Sequence, residues 1–193
     1  LEYDPKAPLM WSFDFNVAPG VAVVSQEQDH GTAVIGEVWI PRNSNTPAVC
    51  RKLLADWADH KGRIECYGDA TGGASGTAKV QGSDWDLIRQ ELRPLGGRVS
   101  YHVPRSNPKE RSRVNAVNAR LKNTAGDIRL FVDPTKAPHV VRDLEGVSVL
   151  EGSSGEIDKK ADPNLTHISD ALGYYLERRY PVVARDIKPV DIF

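Results

Sequence analysis

A chain of 193 residues with 40% hydrophobic and 26% charged side chains is long enough to bury a core without disulfide or metal staples, and short for a multidomain assembly. Gly and Pro are scattered without a low-complexity block, and the longest apolar runs, such as Val21 to Val24, fall far short of the roughly 20 residues that span a bilayer. Disordered, collagen-like and membrane-spanning classes are therefore excluded.

In chain order, Met10 to Asn16 alternates, with Trp11, Phe13 and Phe15 on one side and Ser12, Asp14 and Asn16 on the other, the period of a strand with one buried face. After an Ala18-Pro19-Gly20 turn, Val21 to Ser25 and Thr32 to Ile40 read as two more strands of an antiparallel meander. Thr46 as N-cap and Pro47 at the first helical position open a helix to Gly62, with Val49, Leu53, Leu54 and Trp57 at helical spacing. A strand over Arg63 to Gly68 ends at Asp69 and a loop containing Gly72, Gly73 and Gly76. The pattern then predicts a helix over Asp84 to Leu95, a strand over Arg98 to Val103, and a helix capped by Asn107-Pro108 and running to Lys122. In that helix Val114, Val117 and Leu121 face inward and the basic residues largely outward. Ile128 to Val132 reads as a strand, Thr135 to Leu144 as a helix, Val147 to Leu150 as a short strand and Leu165 to Arg179 as the last helix. The sum is an α/β fold, an antiparallel meander followed by alternating helices and strands in one mixed central sheet with helices on both faces.

This topology brings Asp14 and Asp69, 55 residues apart, to neighbouring strand ends. The final helix stacks His167, Asp170 and Tyr174 beside the apolar stripe Ile168, Ala171, Leu172, Tyr175 and Leu176, which puts Asp170 at the edge of the buried face, where a carboxylate needs a cation or a metal. Taken singly, Asp14 reads better as a hydrogen-bonded turn residue, Asp69 as a loop cap and Asp170 as an exposed helix residue. Together they are three hard oxygen ligands suited to two divalent cations, Mg2+ or Mn2+, and two such ions about 4 Å apart activate a water and stabilise the leaving oxygen in phosphodiester cleavage.

The net charge of −1 hides a distribution that fits this chemistry. Arg105 to Arg129 holds seven basic residues against two acidic ones, a local +5 that leaves −6 elsewhere, although a solvated helix face has the same pattern. Arg105, Lys109, Arg111 and Arg113 are candidates for a sequence-tolerant phosphate grip. Asn16, Asp158, Lys160 and His167 are candidates for supporting the metal site, each with an ordinary solvated alternative, and the Gly-rich loop could let backbone pass close to a phosphate. Cys50 and Cys66 have neither metal-ligand nor disulfide spacing, which together with the lack of a signal-peptide pattern suggests a reducing, cytoplasmic setting.

Four segments in order, Trp11-Ser12-Phe13-Asp14-Phe15-Asn16, Tyr67-Gly68-Asp69-Ala70-Thr71-Gly72, Arg113-Val114-Asn115-Ala116-Val117-Asn118 and Leu165-Thr166-His167-Ile168-Ser169-Asp170-Ala171-Leu172-Gly173-Tyr174, resemble the nuclease domain of the terminase large subunit of tailed double-stranded DNA bacteriophages. The resemblance implies an RNase H-like fold of the RuvC and integrase superfamily. It also implies a metal-dependent endonuclease that cuts concatemeric phage DNA during packaging, with Asp14, Asp69 and Asp170 as the metal-binding acids. It implies double-stranded DNA, an ATPase domain on the same polypeptide, a small terminase subunit and the capsid portal as partners, in the cytoplasm of the host bacterium. The Gly72 to Lys79 stretch lacks the Gly-Lys-Ser/Thr order of a Walker A loop, and the chain opens on Leu1 without an initiator Met. The expectation is therefore a nuclease domain over 1–180 with a tail over 181–193 and no motor domain in this chain. Rival readings are a Holliday-junction resolvase or transposase-like nuclease of the same fold, a non-catalytic docking module for DNA or the portal, and an actin-like ATPase, for which 193 residues leave little room.

Overall fold

The computed structural model describes residues 1–15, 18–70, 83–148, 157, 162 and 165–182. Asn16, Asp158, Lys160, the Gly-rich loop and all but the first two residues of the expected tail lie outside them. Six strands form one sheet: β1 (Leu9–Asp14), β2 (Gly20–Gln28), β3 (Gly31–Ile40), β4 (Ile64–Gly68), β5 (Val99–His102) and β6 (Leu130–Val132), in the spatial order β5-β4-β1-β2-β3-β6. The β1, β2 and β3 pairings are antiparallel, while β4 lies parallel to β1, β5 parallel to β4 and β6 parallel to β3. The expected mixed α/β sheet is present.

Each helix has a local cause. Helix α1 (Thr46–Asp56) is capped one residue earlier than expected, by Asn45, whose Oδ1 accepts from the Ala48 N–H at 2.9 Å. Helix α2 (Asp84–Glu91) opens on a reciprocal capping box between Ser83 and Asp86. It stops short of Leu95 because Pro94 and Gly96, the latter at φ +60°, turn the chain into a 3-10 segment over Arg93–Arg98. Helix α3 (Glu110–Leu121) has no side-chain cap, and Asn107 is used elsewhere. Helix α4 (Pro138–Gly146) begins later than expected because Asp133 takes the Thr135 and Lys136 N–H groups into a turn. The carboxylate of Glu37, on β3, then accepts from the N–H groups of His139 and Val140 at 3.1 and 3.0 Å. Residues 147–148, expected to begin a strand, are not in one. Helix α5 (His167–Arg179) closes the described fold.

The two faces of the sheet bury different cores. Under α1 and α2 lie Trp11, Phe13, Val24, Ile35, Leu53, Trp85, Ile88 and Leu92. Under α3, α4 and α5 lie Met10, Val23, Val34, Tyr67, Val117, Val140, Leu172 and Tyr175. Alternation along β1 thus sends Trp11 and Phe13 to one core and Met10 to the other, and the edge where β1, β4 and β5 end is the edge that carries Asp14 and Asp69.

Candidate active site at the carboxyl edge of the sheet

Strand register places the first two carboxylates. Phe13 of β1 lies opposite Gly68 of β4 in a parallel pair, so Asp14 and Asp69 leave adjacent strands at the same level. Gly68 permits this closeness: a Cβ there would come to 3.0 Å from the Phe13 carbonyl oxygen and 3.2 Å from the Trp85 ring. The backbone beyond is pinned from both sides. The Trp85 indole N–H donates to the Asp69 carbonyl at 2.7 Å, and the Ala70 N–H donates to Asn107 Oδ1 at 2.6 Å. Asn107, expected to cap a helix, instead ties the loop after β5 to the loop after β4.

Helix packing places the third. Asp170 is in the first turn of α5, where the Arg113 Nη2 of α3 donates to its Oδ1 at 2.7 Å. Arg113 also donates to the Pro108 carbonyl at 3.1 Å, and its guanidinium lies 4.5 Å from the centre of the Tyr174 ring. The outward placement expected for Arg113 is corrected: it is 7% exposed, because α3 buries Arg113 along with Ala116 and Val117 on its α5 side. Gly173 makes that approach possible, since a Cβ there would lie 3.0 Å from the Cβ of Arg113. A guanidinium enclosed in this way cannot grip a phosphate from solvent. Arg105, Lys109 and Arg111 are exposed.

His167, one turn before Asp170, has its Nδ1 3.3 Å from Asp14 Oδ2. Burial raises the Asp14 pKa, the bond to His167 lowers it, and the charges of Asp170 and Asp69 raise it further. All three carboxylates also act on Tyr174, whose phenol is held above its usual range chiefly by burial. The start of α5 has a capping residue that the sequence did not reveal. Thr166 sits at φ +80° with no side-chain cap, and Asp143 of α4, 1% exposed, accepts from the Ser169 N–H at 3.1 Å. Burial raises the Asp143 pKa, and the hydrogen bonds from Ser169 and Thr166 work against the rise.

The donor chemistry suits a hard divalent cation: three carboxylates share one neighbourhood, and their mutual repulsion is what such an ion relieves. Among the described residues, no three His, Cys, Asp or Glu side chains converge closely enough to hold an ion, and Asp170 is engaged by Arg113.

A six-stranded mixed sheet flanked by helices, with acidic residues where the parallel strands β1 and β4 end, is a fold this chain shares with solved nuclease domains. Three solved structures narrow the likeness to terminase nuclease domains. One is the nuclease domain of the g2p large terminase from bacteriophage SPP1 with bound Mn, at TM-score 0.54 and 15% identity over 89% of this chain and 86% of that one. Another is the large terminase of a thermophilic bacteriophage in complex with ATP-gamma-S, at TM-score 0.61 and 14% identity over 91% of this chain and 41% of that longer one. The third is the human cytomegalovirus terminase nuclease domain, Mn soaked, at TM-score 0.53 and 14% identity over 91% of this chain and 82% of that one. At such identities the likeness establishes the fold. No family model matches the chain, and no curated protein does. No helix among the described residues is long and apolar enough to cross a membrane.

Proposed function

We propose that the chain is a divalent-cation-dependent DNA endonuclease, the nuclease portion of a large terminase that cuts concatemeric double-stranded DNA during genome packaging. What supports this reading is that two strand ends and a helix bring Asp14, Asp69 and Asp170 to one side of the sheet, near enough for the charges of Asp170 and Asp69 to act on Asp14. Mn in the SPP1 and cytomegalovirus domains of the same fold supports a divalent cation here. Asp14, Asp69 and Asp170 are the residues that would hold the two ions, Mg2+ or Mn2+. Bound there, the ions supply activation of a water and stabilisation of the leaving oxygen. The protein's own part is positioning. His167 orients the Asp14 carboxylate, Trp85 and Asn107 fix the backbone that carries Asp69, and Arg113 holds the Asp170 carboxylate in place at the first turn of α5. Packaging in the cytoplasm of an infected bacterium, with an ATPase domain on the same polypeptide, a small terminase subunit and a portal as partners, completes the reading.

Asp14→Asn is expected to reduce Mn2+-dependent nicking of plasmid DNA to background while the protein keeps its melting temperature in the absence of metal. Wild-type nicking by the folded variant would refute the assignment.

A further inference from the structure

A polar cleft of about 510 Å3 opens beside the candidate active site, between the loop that follows β5 and the outer half of α5. Its inner wall reaches Gly68, the residue before Asp69, and Tyr174, one helical turn after Asp170. Asp170, Tyr174 and Arg178 lie at i, i+4 and i+8 along α5, so one stripe of this helix leads from the carboxylates to the cleft. Arg178 stands about 12 Å from Asp170 along the axis, roughly three to four nucleotides at the rise of one DNA strand. From the other wall, Arg105 enters on a loop stiffened by Pro104 and Pro108 and tied to the Asp69 loop through Asn107.

Both guanidiniums are exposed, and among the described residues neither has a carboxylate partner, whereas Arg113, Arg120, Arg142 and Arg179 each have one. Glu177 also lines the cleft, one negative charge against two positive ones. A strand whose phosphodiester is cut at the carboxylates must continue past them, and an arginine-lined polar cleft suits a sugar-phosphate backbone better than a base or an apolar chain.

We propose that this cleft is a backbone-phosphate subsite for the DNA strand running away from the carboxylate centre, gripped by Arg105 and Arg178; this rests on the nuclease reading. It moves the phosphate grip from the α3 residues of the basic segment to a pair that sequence separates by 73 positions.

The test is the affinity of the 193-residue chain for a short labelled DNA duplex, measured without divalent ions over a range of salt concentrations. The double variant Arg105→Gln with Arg178→Gln is expected to bind more weakly and to flatten the slope of log Kd against log salt by about 2. The control pair Arg63→Gln with Arg129→Gln, exposed at the opposite edge of the sheet, removes the same charge and is expected to leave the slope unchanged. An unchanged slope in the cleft variant, or an equal loss in the control, would overturn the subsite. If that happens while Asp14→Asn still abolishes nicking, the nuclease reading stands without it. A wild-type chain that neither binds nor nicks DNA would remove both.

Discussion

The two faces of the sheet solve the same packing problem differently. Beneath α1 and α2 the core is carried by carbon: Trp85 meets Phe15 edge to face at 5.4 Å, and Phe13 and Phe15 stack at 6.1 Å. Beneath α3, α4 and α5 an apolar floor is overlaid with buried polar groups. Arg113 pairs with Asp170, Asp143 caps α5, Glu37 caps α4, and the Tyr175 hydroxyl donates to Glu27. The first arrangement tolerates imprecision because dispersion and burial are non-directional. The second is directional, and leaving one partner behind costs more than the pair contributes. The candidate active site lies on the second face, where groups must be held at defined positions rather than merely covered.

The sharpest way to break this comparison is to truncate one residue on each face. Trp85→Ala should cost about 3–5 kcal/mol in urea unfolding, because a 3% exposed ring leaves a cavity that its aromatic neighbours cannot fill. It should also loosen the Asp69 loop, whose carbonyl loses its indole donor. Arg113→Met should cost about 3 kcal/mol in metal-free protein by removing the guanidinium that donates to the Asp170 carboxylate. The difference lies in rescue: adding Asp170→Asn to Arg113→Met should recover much of that loss, with a coupling of about 1–3 kcal/mol in a double-mutant cycle. Additive losses from the two changes would mean that the pair is not the unit of stability on this face.

The smallest effect concerns pH. Burial raises the Asp143 pKa above the roughly 3.9 of the unfolded chain, so between those two values the folded protein binds more protons than the unfolded one. Stability is therefore fullest below the unfolded value and declines as pH rises through the folded one. Asp143→Asn keeps an acceptor for the Ser169 N–H and has no charge to desolvate, so its stability from pH 4 upward should be flatter. A slope of the same sign remains from Asp14, whose pKa is also raised. A variant with the full wild-type slope would show that Asp143 does not titrate between the two states.

Much of the first face was legible in advance. Alternation at Trp11 and Phe13, and helical spacing at Val49 and Leu53, follow from the period of a local backbone conformation, and turn chemistry near Pro19 bounded the meander. Helix limits were less so, because Pro94, Gly96 and Asp133 redirect the chain through hydrogen bonds that compete with the helix. On the second face, Val114 and Leu121 resemble an inward stripe as well as Ala116 and Val117 do, and no local rule says that an arginine will be turned inward with them. An inward Arg113 and a missing cap at Thr166 have no sequence signal beyond the small residue Gly173, which shows its purpose only when α3 lies against it.

The sequence by itself determined the periods, and with them the strands, most helices and the placement of Asp14 and Asp69 at strand ends, because these depend on residues a few positions apart. Only the tertiary structure decided that Arg113 belongs to Asp170, that Asn107 holds the Asp69 loop and that Arg105 and Arg178 share a cleft. Each of these pairings depends on strand register and on how closely two helices approach, and neither is encoded within the span of a single element.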